Sequence, residues 1–147
     1  IESGSLIVTL PGEAEWEKAA RGADARLFSW EGELDNEKAN VNMSIGRTSA
    51  VGCFPSGQSP YHLFDTTGNV WEWTRSIYEK YPYVISEKRE KMDDKKSARV
   101  LRGGAFFSID RLARCAYRFR GDPDLRINLI GFRVVVASPI SLSGSGS

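Results

Sequence analysis

The chain is short of the residues on which metal and nucleophilic chemistry depend. Its 147 residues hold a single histidine, His62, and two cysteines, Cys53 and Cys115, at a spacing that matches no metal or redox motif. One histidine disfavours a histidine-based metal or acid–base centre, and two cysteines lean only weakly towards a reducing compartment. No run approaches the roughly 18 apolar residues of a membrane span. A net charge of +1 exerts no global pull on nucleic acid or anionic membrane. Ile1–Leu10 has no signal-peptide core and no initiating Met, which is compatible with a piece of a longer chain. The location stays open between the cytoplasm and display through a missing N-terminal part. A last gap is local. Residues 103–147 contain no Lys, Glu, Gln, Met or Trp, although residues 1–102 contain all 25 of them (7 Lys, 11 Glu, 1 Gln, 2 Met and 4 Trp).

What is present reads as one globular domain, large enough to bury a core without disulfides. Hydrophobic residues make up 41% and charged residues 27%, ordinary values for such a domain. "TLPGEAEWEKAARG" (9–22) predicts a helix with Pro11 in its first turn and Gly22 as its stop. Glu13 and Glu15 complement the positive helix end. Trp16, Ala19 and Ala20 mark its buried face, and Glu17 can pair with Arg21. "NVWEWTRSI" (69–77), "RVLRGG" (99–104) and "IGFRVVVAS" (130–138) predict strands, the last of them central. Residues 86–98, "SEKREKMDDKKSA", read as an exposed charged loop, and 141–147 as a flexible tail.

Five motifs in fixed order, "LPGEAEWEKAARG", "FDTTGNVWEW", "RVLRGGAFF", "CAYRFRGDPD" and "IGFRVVV", resemble the formylglycine-generating enzyme (sulfatase-modifying factor) domain family. The resemblance implies a C-type lectin fold: α+β, irregular and loop-rich, with a short antiparallel sheet. It covers a single domain, 1–140, that is short at its N-terminus. Active oxidases of the family hold copper with two cysteines just beyond the RGGS motif. Here the first of those positions is Ser108, and the second falls in the shortened "DRLAR". Cys115 matches a different cysteine. A hydroxyl cannot replace a soft thiolate on copper(I), so no copper and no catalytic residue are expected. The family also implies a candidate calcium site at Asp65, Gly68, Val70 and Glu72. The other reading of that turn is metal-free, with Asp65 and Glu72 capping backbone N–H groups.

The five residue types missing after position 102 share a coding property: none is written by a codon ending in C. Within the family, the chain resembles variable proteins of diversity-generating retroelements, in which adenines, mostly of AAC (Asn) codons, are randomised. Set against that pattern, the altered positions are Phe107, Ser108, Ile109, Leu112, Phe119, Gly121, Asp122, Leu125, Ile127 and Leu129, with Asn128 unaltered. Each of these residues is reached from AAC by changing adenines alone. Apolar side chains among Arg111, Arg114, Arg118 and Arg120 suit a binding hot spot for a protein or cell-surface ligand. Phe106 reads as core. Asp110, Asp122 and Asp124 dilute the basic field and argue against nucleic acid. The expectation is therefore a non-catalytic, ligand-binding variable protein of undetermined oligomeric state. The alternatives are a copper-dependent oxidase or a related oxygenase, and a structural module of a larger signalling protein.

Overall fold

A computed structural model describes residues 6–84, 86 and 88–137; the tail 141–147 and both ends of the expected domain 1–140 lie outside the described residues. In chain order the elements are β1 (Ile7–Thr9), α1 (Glu13–Arg21), a 3-10 turn (Pro55–Gly57), β2 (Trp71–Ile77), β3 (Arg99–Arg102), α2 (Asp110–Ala113), β4 (Phe119–Gly121), β5 (Ile130–Phe132) and β6 (Val135–Ala137). Four strands form one sheet in the order β4-β3-β2-β5, and β1 pairs with β6 in a separate antiparallel ribbon. The larger sheet is mixed rather than antiparallel throughout. Strands β2 and β5 run parallel, with Trp71 opposite Ile130.

Helix α1 starts at Glu13, two residues later than the Pro11 signal suggests, so Pro11 precedes the helix. Gly12 is the N-cap, and the Glu15 carboxylate accepts the Gly12 N–H at 2.7 Å. Trp16 and Ala20 face inward with Cys115, and Arg21 pairs with Glu17 at 2.8 Å. Gly22 ends the helix, donating its N–H to the Lys18 carbonyl at 3.0 Å. A second cluster gathers Phe28, Trp30, Ala39, Val41 and Ala113; burying Phe28 alone is worth about 1.5–3 kcal/mol. A third gathers Trp71, Leu101 and Ala105 under the sheet. Gly103 and Gly104 both take positive φ, 94° and 78°, and turn the chain out of β3 where a side chain would meet Trp16 or the Leu112 carbonyl.

Two expectations change. The apolar run 130–138 is not one central strand. Arg133 leaves the strand line to reach Glu72, so the run divides into β5, at an edge of the larger sheet, and β6, in the ribbon. The charged loop 86–98 is not wholly exposed either. Its lysines stand in solvent, but Arg89 is 1% exposed and reaches the buried carboxylate of Glu13 at 3.0 Å. Glu13 also receives Arg102 at 2.8 Å and both nitrogens of a fork from Arg118, one at 2.9 Å. One fully buried carboxylate thus ties the helix to β3, to the charged loop and to the chain entering β4. A buried arginine needs such partners, and this explains why a locally polar segment folds inward.

Candidate binding face

The chain between Phe107 and Leu129 is fixed from beneath. Ser108 is buried, its hydroxyl accepting the Ala105 N–H at 2.9 Å and its carbonyl accepting the Asn42 N–H at 3.1 Å. The Cys115 N–H donates to the Leu27 carbonyl at 2.8 Å, and Arg102 donates to the Cys115 carbonyl at 2.8 Å and the Tyr117 carbonyl at 3.4 Å. Arg118 points inward to Glu13, donates to the Glu79 carbonyl at 2.9 Å, and lies between the rings of Tyr78 and Tyr81, 4.7 and 4.6 Å from their centroids. Its neighbour Phe119 points the other way, as strand alternation requires.

Phe119 is 43% exposed and stacks on Trp71 with centroids 5.3 Å apart; Trp71 itself is only 4% exposed. Tyr117 leans on the same indole at 5.9 Å, while Leu112 and Leu129 pack half-buried against that cluster. The structure therefore gathers Leu112, Phe119 and Leu129 around one buried tryptophan. Ile109, 61% exposed, lies apart, in a cleft of about 630 Å³ shared with Leu27 and Leu34. Phe107 stands edge-on to Phe106, which is core. Asp122, Ile127 and Asn128 are exposed, with Asp122 paired to Arg120 at 2.8 Å, and Leu125 is half-buried. Ser108 and Gly121 are not on the surface. A β-carbon at Gly121 would lie 2.6 Å from Trp73 Cη2 and 2.8 Å from Leu101 Cδ1. Sequence reasoning missed Tyr117 and the role of Trp71. The two-residue step from Tyr117 to Phe119, the first residue of β4, is the signal that places both on one side of the chain entering that strand.

The turn read as a candidate calcium site is occupied by protein groups. Glu72 Oε2 accepts Trp16 Nε1 at 2.6 Å, and Arg133 grips both carboxylate oxygens at 2.5 and 2.6 Å. Burial works against the Arg133 charge, but the hydrogen bonds and field of Glu72, with Asp65 adding to them, hold its pKa above the ordinary value. Asp65 accepts the Gly52 N–H at 2.8 Å, the Gly68 N–H donates to the Gly103 carbonyl, and Val70 is half-buried. A guanidinium standing on the key carboxylate does not fit a calcium ion. Among the described residues no group of three or more His, Cys, Asp or Glu gathers as a metal site. Nor does a copper pair assemble at Ser108. Cys115 is buried, and desolvation pushes its thiol up to about 12, whereas Cys53 is exposed.

The description of the sulfatase-modifying factor enzyme 1-like domain matches residues 3–138. The chain belongs to this family. It is 39% identical over 127 residues to the serine/threonine-protein kinase pkn1 of Chlamydia pneumoniae, across 84% of this chain and 20% of that protein. To the formylglycine-generating enzyme of Mus musculus it is 32% identical, across 84% of this chain and 38% of that protein. Variable protein 1 of Treponema denticola superposes with a TM-score of 0.70 at 26% identity, over 90% of this chain and 48% of that one. The sulfatase-modifying-factor-like chain thus spans less than half the length of these relatives. Its fold is the loop-rich, α+β, C-type-lectin-like fold of the formylglycine-generating type. No helix among the described residues is long and apolar enough to cross a membrane.

Proposed function

We propose that this domain is a non-catalytic binding module whose face between residues 107 and 129 recognises a protein or cell-surface ligand and is diversified by a retroelement. The observation that carries the reading is Phe119, a large apolar side chain held open to solvent on top of a buried tryptophan. Folding alone gains little from leaving such a ring exposed, and its area is what a partner buries. The backbone beneath it is pinned by Arg102 and Arg118 through side chains that do not reach the surface. Side chains above can therefore change without altering the frame, and the frame loses little freedom on binding. The likeness to variable protein 1 of Treponema denticola supports the reading. So does Ser108, which hydrogen-bonds to backbone where a thiol oxidase needs a cysteine.

Sequencing around the gene tests diversification. The expected finding is a reverse transcriptase and a near-copy of the segment encoding residues 103–133. Their absence, with codons at the altered positions not ending in C, would refute it. The oxidase reading, kept alive by the likeness to the mouse enzyme, is tested by anaerobic Cu(I) titration. We expect no stoichiometric binding that depends on a thiol. Tight binding lost in Cys53→Ser or Cys115→Ser would overturn the non-catalytic reading.

A further inference from the structure

A cavity of about 470 Å³ lies outside the proposed recognition face, between β2, the charged loop and the turn at Pro123. Of the segment 107–129 it uses only Pro123, Asp124 and Arg126, none of which is among the altered positions. Leu10, Met92, Pro123 and the indole of Trp73 supply its apolar lining, and Thr74 with charged side chains supplies the rest. Trp73 is held in place from behind, since its ring fills the space that a side chain at Gly121 would need. Its indole N–H has no acceptor among the described residues. Trp73 is half-buried and lines the cavity, so a ring entering it meets an indole held from behind.

The charges around this floor are unequal in kind. Arg75 is neutralised by Glu15 at 2.8 Å and Glu90 at 3.1 Å. Arg99 is buried and donates to the carbonyls of Arg75, Lys91 and Asp94, with the Asp94 carboxylate near enough to share its field. Asp94 in turn is engaged by Ser97 and by the N–H of Lys96. Lys95 and Arg126 are exposed on the rim and, among the described residues, have no carboxylate partner. Asp94 and Asp124 are the carboxylates in the lining, and Asp94 already shares the field of Arg99. Two cations without a carboxylate partner among the described residues, beside an indole held from behind, select a flat apolar body that carries a negative group. The volume suits a small molecule rather than a protein surface.

We infer that this cleft is a second binding site, for a small aromatic anion, a ring stacked on Trp73 with its carboxylate or phosphate against Arg126 and Lys95. The inference stands whether or not the face at 107–129 is diversified. Three probes of matched shape decide it by ligand-observed NMR and titration calorimetry on the intact chain: indole-3-acetate, its neutral amide indole-3-acetamide, and the cation tryptamine. Phenyl phosphate in place of indole-3-acetate separates phosphate from carboxylate preference. The expected order is anion over amide over cation, with Arg126→Ala and Lys95→Ala each weakening indole-3-acetate by about fivefold to tenfold. Both side chains are exposed, so these variants keep the fold, and Val51→Ala, at an exposed residue outside both the cleft and residues 107–129, serves as a control that leaves binding unchanged. Equal affinity for acid and amide, no binding at millimolar concentration, or indifference to both cation variants would overturn the proposal. Loss of binding in Val51→Ala would show that the probe sits outside the cleft and overturn it equally.

Discussion

Glutamine at position 13 should remove a large share of the protein's stability, whereas glutamine at position 15 should pass almost unnoticed. Both glutamates lie in the first turn of α1, and both substitutions keep the side chain's volume. Glu13 is fully buried and holds Arg89, Arg102 and Arg118, of which the first two are themselves buried. Removing one partner of a buried ion pair costs about 3–5 kcal/mol, because the other charge is left without compensation. Here two neighbours soften the loss: Glu17 lies 2.7 Å from Arg102 and Glu79 lies 3.7 Å from Arg89. The lower end, about 3 kcal/mol, is therefore the expected cost of Glu13→Gln, against a typical total of about 5–15 kcal/mol. Glu15 is half exposed in its pair with Arg75, so Glu15→Gln should cost under about 1 kcal/mol. Urea unfolding followed by far-ultraviolet circular dichroism and tryptophan fluorescence measures both. A loss below about 1 kcal/mol for Glu13→Gln, or equal losses for the two variants, would refute the view that one carboxylate organises the arginine cluster.

Three further outcomes are expected. Gly121→Ala forces a β-carbon to 2.6 Å from Trp73 and should destabilise by about 1–3 kcal/mol in the same urea assay; an unchanged midpoint would show that Trp73 yields freely. Native protein should lose one thiol to iodoacetamide, at exposed Cys53, and the second only on denaturation. Because burial raises the Cys115 pKa from 9.0 to about 12, the folded state keeps a proton that the unfolded state releases, so stability falls as pH rises through that interval. Cys115→Ala should flatten that fall relative to the parent, and parallel profiles would refute the assignment. Finally, neither calcium nor chelator should move the melting temperature, while Arg133→Ala should lower it by leaving Glu72 without its cation. A rise of several degrees on adding calcium would show that the ion displaces Arg133 from Glu72.

How far the sequence could be read depended on whether a residue's role is local. Helix α1 and strands β2 and β3 were legible because Trp16 and Ala20 repeat at helical spacing and a glycine pair closes the second strand. Glu13 was not, since its local signal, an acid at a helix start, is the same as that of Glu15. Only the arginines that arrive from positions 89, 102 and 118 separate the two. Arg89 was hidden for the same reason, inside a run whose composition reads as solvent-facing. The division of 130–138 at Arg133 depends on Glu72, sixty-one positions earlier in the chain. For the recognition face, codon pattern and resemblance identify positions, but burial is a property of the fold. Ser108 and Gly121 share the pattern of Phe119 and yet lie beneath the surface, one satisfying a backbone N–H and the other yielding room to an indole.

The β1–β6 ribbon has a consequence for how such a unit can be carried. Ile7 stands opposite Ala137 and Thr9 opposite Val135, so the chain enters and leaves the described structure side by side, roughly 5 Å apart. A host protein could accept it in a surface loop as a plug with two adjacent pins, without stretching either flank. Whatever the cleft and the open phenylalanine engage would then be held at a fixed distance from the host, on a mount that two short strands define.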